Sequence, residues 1–241
     1  DPSTNTKLLT DTSGPADGFL AKYSSEGNFL WVHHIPVLAD QVFSLTDIAI
    51  DPTSGDVIAV GHSSQNVDLD GNPSVNNTPA GSGGFVLTLT SAGSFSSAQR
   101  FRSLDGIAGN NAPNSVAVDS TGAIFVGGRL IAGTTDFDPN PSPTATREIS
   151  GTQDSYLVKL NVDRTLADVY ILVSDGSSEV LVLDVAVGPG SGADVYLVGA
   201  FKGTVDFNPG SGTANRTSTS NLFFNGFLLH LSGAGLFQNV A

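Results

Sequence analysis

Apolar residues in this chain come in short runs. Segments of four to eight residues, rich in Val, Ile, Leu, Phe and Tyr, are bounded by Gly, Pro, Asp, Asn and Ser. That is the pattern of strands joined by turns. No window of a dozen residues carries the sustained i, i+3, i+4 apolar stripe of an amphipathic helix. The pattern predicts an all-β chain with no helix beyond an isolated turn.

The runs recur at a fixed period. Gly18-Phe-Leu-Ala-Lys-Tyr23 is echoed by Gly84-Phe-Val-Leu-Thr-Leu89, Ser155-Tyr-Leu-Val-Lys-Leu160 and Gly226-Phe-Leu-Leu-His-Leu231. A second element reads Asp47-Ile-Ala-Ile-Asp51, then Ser115-Val-Ala-Val-Asp119, then Asp184-Val-Ala-Val-Gly188. After a turn, each copy meets a partner: Asp56-Val-Ile-Ala-Val-Gly61, Ala123-Ile-Phe-Val-Gly-Gly128 and Asp194-Val-Tyr-Leu-Val-Gly199. A third element is a linker carrying Asp68-Leu-Asp70-Gly-Asn72, Asp136-Phe-Asp138-Pro-Asn140 or Asp206-Phe-Asn208-Pro-Gly210, and the chain opens on Asp1-Pro2. Its anchors Asp1, Asp70, Asp138 and Asn208 lie 69, 68 and 70 residues apart.

Two hairpins per repeat make four strands, here A to D in chain order. Four-stranded antiparallel sheets in tandem read as the blades of a β-propeller. The expectation is one propeller segment over residues 1–241, with repeats 1–69, 70–137, 138–207 and a partial 208–241. The hairpins add up to a C–D pair (18–34) and three full sets (44–101, 114–173, 180–240), about 3.5 blades. Rings of this kind start at four blades, so further blades from a longer parent chain or from another subunit are expected to complete it. A start on Asp, not Met, fits a processed chain or a fragment. Phe19, Phe85, Tyr156 and Phe227 hold one repeat position on strand C and should be buried alike.

The motif Ile48-Ala49-Ile50-Asp51…Gly55…Ala59-Val60-Gly61 and its later copies, with Thr204-Val-Asp-Phe-Asn-Pro-Gly210 and Gly226–Leu231, resemble the bacterial SBBP-type repeat of seven-bladed β-propellers. The resemblance covers nearly the whole chain. It implies a propeller from a large secreted or cell-surface bacterial protein, and it implies no particular activity.

Charge narrows the partners. Ten Lys+Arg stand against 23 Asp+Glu, a formal charge of −13, and 20 of the acids are Asp. No basic footprint exists to neutralise phosphates, which argues against nucleic-acid and anionic-membrane partners. Zero Cys excludes disulfides, thiolate metal sites and Cys nucleophiles. No apolar run reaches 18 residues, the length that suggests a membrane helix.

The linkers are the leading candidate for chemistry. Asp68, Asp70 and Asn72, and again Asp136, Asp138 and Asn140, place side-chain oxygens at positions one, three and five; Asp206 and Asn208 keep the first two. Alternating oxygens in a turning loop suit Ca²⁺, although the EF-hand glutamate at position 12 is absent. Gly71 and Asn208 depart from the Asp-Pro step, so those copies would bind an ion differently or not at all. The competing reading gives the same residues Asx-turns that hold a long loop in place, or a short edge strand with its acids facing solvent.

Other chemistry is weaker. His33 and His34 are adjacent and point to opposite faces of a strand, and His230 takes the place of Lys22, Thr88 and Lys159, a position expected to face solvent. No Gly-x-Ser-x-Gly elbow occurs. Gly188-Pro-Gly-Ser-Gly192 lacks the Lys of a phosphate loop and joins two strands. Asp51 and Asp119 could supply paired carboxylates for glycoside chemistry, yet their repetition fits a turn after strand A better. Trp31 reads as core between blades. The sequons at Asn76 and Asn215 matter only in a glycosylating host. The expectation is a non-catalytic extracellular or cell-surface scaffold, adhesion or binding module, recognising protein or glycan through its linkers at 62–83, 129–153 and 201–225. The alternative is a propeller enzyme acting on polysaccharide.

Overall fold

The structure is a computed structural model, describing the chain except residues 1–6, 11–15, 65–66, 73, 75–76, 108, 141, 143–144, 150–151, 191 and 221. The repeat anchor Asp1-Pro2 and the sequon residue Asn76 lie outside the described residues. Among those described there is no helix, and every sheet ladder is antiparallel.

Strands β1 (Gly18–Tyr23) and β2 (Phe29–Ile35) form a two-stranded sheet. The second sheet runs in chain order through β3 (Phe43–Ile50), β4 (Val57–Ser63), β5 (Gly83–Leu89) and β6 (Phe95–Ser103). The third uses β7 (Asn111–Val118), β8 (Ile124–Leu130), β11 (Asp154–Leu160) and β12 (Leu166–Ser174). The fourth uses β13 (Glu179–Val187), β14 (Val195–Lys202), β17 (Asn225–Leu231) and β18 (Phe237–Val240). Each predicted hairpin is present.

The linkers of the third and fourth sheets add four short strands, as the edge-strand reading of the acids allows. The linker of the third sheet forms a hairpin of β9 (Thr134–Asp136) and β10 (Thr146–Glu148), which pairs with β6 of the sheet before it. The linker of the fourth sheet does the same with β15 (Thr204–Asp206) and β16 (Asn215–Thr217) against β12. Each linker thus covers the open edge of the preceding sheet, where unpaired backbone groups would otherwise face solvent.

The sheets pack in series, with one apolar core between each successive pair. Leu20 and Ile35 of the first sheet meet Val57, Phe85 and Leu87 of the second. Ile58, Val60 and Val86 on the second sheet's other face meet Tyr156, Val158 and Leu160 of the third. Phe125 and Leu157 of the third meet Val195, Phe227 and Leu229 of the fourth. The linkers add Leu69, Phe137 and Phe207, all fully buried, to the same three cores.

Register explains two recurrent residues. Gly61, Gly128 and Gly199 lie opposite Phe85, Tyr156 and Phe227. A Cβ on any of these glycines would overlap the facing ring and a carbonyl oxygen of the neighbouring first strand. The glycine lets each ring lie flat across its own sheet, where it meets the linker aromatic: Tyr156 is 4.8 Å from Phe137, and Phe227 is 4.8 Å from Phe207. The second recurrence is a bulge on the first strand, where pairing slips between Leu45 and Asp47, Pro113 and Ser115, and Val182 and Asp184. The extra residue turns toward the next sheet. Thr46 Oγ1 donates to the Pro113 carbonyl at 2.9 Å, and Asn114 Nδ2 to the Val182 carbonyl at 2.7 Å.

Two expectations need correction. Phe85, Tyr156 and Phe227 are buried, but Phe19 is 61% exposed. Its counterparts lie against the sheet before them, whereas Phe19 lines open hollows, one with Lys7 and Leu9 and one with Leu45, Thr46, Asp47 and Ile48 of β3. The position shared by Lys22, Thr88, Lys159 and His230 is not uniformly solvent-facing, because Thr88 lies buried.

Gly128→Ala should lower stability by about 1–3 kcal/mol, the usual cost of forcing a methyl into a filled core. Thermal denaturation checks the shift, and far-ultraviolet circular dichroism of both proteins should lack the helical double minimum.

Candidate functional site

The acidic linkers are built from a short repeating bond. Asp68 Oδ1 accepts the Asp70 amide at 3.0 Å, Asp70 Oδ1 accepts the Asn72 amide at 2.7 Å, and Asn72 Oδ1 accepts the Ser74 amide at 3.1 Å. In the next copy Asp136 Oδ1 takes the Asp138 amide at 3.1 Å and Asp138 Oδ1 the Asn140 amide at 2.9 Å. In the last, Asp206 Oδ1 takes the Asn208 amide at 2.9 Å and Asn208 Oδ1 the Gly210 amide at 2.9 Å. Each bond spans two residues, which is the geometry of successive Asx-turns.

A second layer of bonds closes each loop. Asp70 Oδ2 accepts from the Asn77 amide at 2.9 Å and from Asn77 Nδ2 at 2.8 Å. Asp206 Oδ1 also accepts the Ala214 amide at 2.8 Å. Asp136 is fully buried, and its Oδ2 meets Arg102 Nη2 of the preceding sheet at 2.6 Å. The thought that these acids line a solvent-facing edge strand therefore fails for Asp136. It lies beside the buried Phe137, and its charge is met by a guanidinium that retains partial contact with water.

One side-chain oxygen each of Asp68, Asp70, Asn72, Asp136, Asp138, Asp206 and Asn208 accepts a backbone amide. Among the described residues, no three His, Asp or Glu side chains gather as a metal-holding group. Asp68 and Asp70 do interact closely. Burial, together with the hydrogen bond between the two carboxyls, pushes Asp68 up to about 6. Burial also opposes ionisation of Asp70, but the amides of Asn72 and Asn77 outweigh it and hold Asp70 below the usual carboxylate range. The loop therefore keeps Asp70 as the anion and leaves Asp68 as the group that takes a proton.

The remaining candidates have structural duties. Asp51 Oδ1 accepts the Thr53 amide at 2.8 Å, and Asp119 Oδ1 accepts the Thr121 amide at 2.8 Å, so both acids hold the turn after strand A. His33 is buried, which lowers its basicity, and its Nε2 bonds the Leu69 carbonyl at 2.9 Å. His34 Nε2 pairs with Asp17 at 2.7 Å, and His230 Nε2 pairs with Asp194 at 2.8 Å. His62 is also made less basic, by burial first and then by the charge of Arg129. Trp31 packs partly buried against the first core, its ring over Gly93 and its Nε1 donating to the Ser91 carbonyl at 3.1 Å.

Sequence reasoning passed over a polar seam on the first strands. Ser115 Oγ lies 2.9 Å from Asp47 Oδ2 and 2.6 Å from Asp184 Oδ1, so three successive sheets meet at one hydroxyl. Asp47 Oδ2 also accepts the Val116 amide at 2.9 Å. The signal was present, since these residues open the three copies of the Ile-Ala-Ile or Val-Ala-Val element. Arg100 is a second omission. It is buried, with Nε on the Pro79 carbonyl at 2.9 Å and Nη1 on Ser63 Oγ at 2.9 Å, and burial lowers its pKa to about 10.

No protein-family model matches the chain, and no curated protein matches it.

Two measurements separate the readings of the linkers. A folded-state pKa raised above the unfolded value means that the folded chain holds the proton more tightly. Asp68 therefore costs stability as pH rises from the ordinary carboxylate range through about 6. Asp68→Asn keeps the acceptor for the Asp70 amide and mimics the protonated form. It should raise the melting temperature at neutral pH and change it less where Asp68 is already protonated. Titration of Ca²⁺ into metal-stripped protein tests the ion directly. With one oxygen of each linker acid held by an amide, no heat and no rise in melting temperature are expected at millimolar ion. A heat with a raised midpoint would put Ca²⁺ on 68–72 or 136–140, since a ligand of the folded state alone stabilises it.

Proposed function

We propose that the four sheets are blades of a β-propeller segment, related to the SBBP-type repeat, and that the chain is a non-catalytic recognition and adhesion scaffold exposed outside the cell. Support for the blade reading comes from the serial packing of equal four-stranded meanders, with the same bulge and the same glycine–aromatic pair in each complete sheet. Support for a non-catalytic role comes from the acids. Asp51, Asp119, Asp136, Asp138 and Asp206 are each engaged in a turn or a loop closure.

One observation carries the recognition reading. The linker of the fourth sheet presents Leu222, Phe223 and Phe224 to solvent, at 81%, 71% and 47% exposure. Lys202 Nζ sits 5.4 Å from the Phe224 ring centroid. Consecutive exposed aromatic residues are costly to keep in water, and on a loop held by a rigid sheet they suit binding of protein or sugar surfaces. The other two linkers carry no such triplet.

The test is a binding screen of the chain against cell-surface glycans and surface-protein extracts, beside Phe223→Ser. Binding by the parent, lost in the variant without change in melting temperature, is the expected result. Release of reducing sugar from a polysaccharide would overturn the non-catalytic reading.

A further inference from the structure

Three residues of the second sheet depart from the repeat together. Arg100 on β6 lies opposite Phe85, the place that His34 holds opposite Phe19 and Ile171 opposite Tyr156. Ser63 on β4 faces Gly83 on β5, where Leu130 faces Asp154 in the third sheet. Asp17 holds the same place as Gly83 and Asp154, two residues before the strand C aromatic. In the first sheet cation and acid answer each other, with His34 Nε2 2.7 Å from Asp17 Oδ2. In the third the acid remains and the place of the cation is apolar. The second sheet has the cation, and glycine where the acid would be. Gly83 has a φ of 122°, and a Cβ there would overlap the Phe101 carbonyl oxygen, so no side chain restores the acid.

Arg100 is consequently a buried charge with nothing to balance it. It is 2% exposed, and Ser63 beside it is 0% exposed. The Pro79 carbonyl accepts from Nε and Ser63 Oγ accepts from Nη1, while Nη2 is buried and has no partner. No described carboxylate lies within ion-pair distance of it. Arg102, two residues along the same strand, shows the contrast, since it meets Asp136 at 2.6 Å. The linker residues outside the description, Gln65, Asn66, Pro73, Val75 and Asn76, include no acid. Ser63 Oγ, having accepted from Nη1, keeps a proton of its own to donate. Two donors and one full positive charge thus lie together without an acceptor, a costly state for a buried group. A water molecule accepts both protons and leaves the charge uncompensated. A small anion with no proton of its own satisfies both demands.

We propose that Arg100 Nη2 and the Ser63 hydroxyl bind a halide ion, chloride in ordinary saline, in place of the carboxylate that the repeat supplies in other sheets. Enclosure sets the class of ligand. Both donors are cut off from solvent, so the site suits a single atom and not phosphate or sulfate. The inference concerns the interior of the second sheet and its linker, and it does not depend on the recognition reading.

The test is thermal melting of the chain in sodium gluconate, with chloride replacing gluconate at constant ionic strength, beside Arg100→Met and Ser63→Ala. A ligand of the folded state alone raises the midpoint, by about 3–6 °C for a chain of this size at tenfold excess over the dissociation constant. Arg100→Met removes the charge and should show no chloride-dependent rise. Ser63→Ala removes one donor and should show a smaller rise than the parent; it carries the comparison if Arg100→Met does not fold. Crystals grown in bromide should show an anomalous peak in contact with Nη2. A midpoint of the parent that does not move with chloride would overturn the proposal. So would an equal rise in parent and variants, which marks a general salt effect, or a water at Nη2 with no anomalous peak. Bromide bound in the crystal with no effect of halide in solution would overturn it as well.

Discussion

A sheet with apolar residues on both faces cannot stand alone, and this chain is organised around that demand. The third sheet shows it plainly: Tyr156, Val158 and Leu160 point to one neighbour, while Phe125 and Leu157 point to the other. Burying side chains of this size contributes about 1.5–3 kcal/mol each, so separating two sheets would forfeit several such terms at once. The glycine in each second strand follows from the same demand. Without it the large ring opposite could not lie down on its own sheet, and the gap between sheets could not close over it.

The linkers solve the complementary problem at the sheet edges. A segment of about twenty residues between the second and third strands is long for a connection inside a compact unit. Here it is anchored by buried apolar residues, Val67 and Leu69, Phe137, or Val205 and Phe207, and folded by the acids beside them. In the third and fourth sheets it also pairs with the last strand of the sheet before it. Packing and edge pairing thus act on the same pair of sheets. The acids contribute through geometry: their oxygens take amides that a turning backbone cannot pair with itself. Their abundance need not signal a ligand, and a chain with 20 Asp and three Glu fits that use, since the shorter side chain reaches the amide two residues on.

Strands and hairpins were legible because alternation and turn residues are local properties. The period of about 69 residues made the sheet order legible as well. What stayed hidden depended on neighbours distant in sequence. Alternation says that Asp136 and Thr134 share a side of β9, but not that Asp136 is fully buried there while Thr134 is only half-buried. The pairing of β9 with β6 joins Ser103 to Thr135, and nothing in either segment names the other. Phe19 failed for the same reason. Repeat equivalence fixes which way a residue points, while burial also requires something to point at. The seam at Asp47, Ser115 and Asp184 was visible as a recurring polar start to an apolar strand, and it went unread because its meaning lies in contact across three sheets.

Serial stacking also grades the molecule along its length. The second and third sheets each share an apolar core with a neighbour on both faces, whereas the first and fourth share one. Among the described residues the first sheet has two strands, β1 and β2, and isolated pairs of strands are marginal in water. It is held to the second sheet by Leu20, Ile35 and Trp31, by Lys22 Nζ on the Ser91 carbonyl at 3.1 Å, and by the linker that bonds His33. In an array where each unit touches only its neighbours, stability is close to a sum of unit and interface terms. A unit with few strands and one interface then sits lowest and opens first. The interior of the stack sets the rigidity of the linkers it carries, and the fourth sheet, complete in its strands, holds the exposed loop at 222–224 more firmly than the first could hold anything comparable.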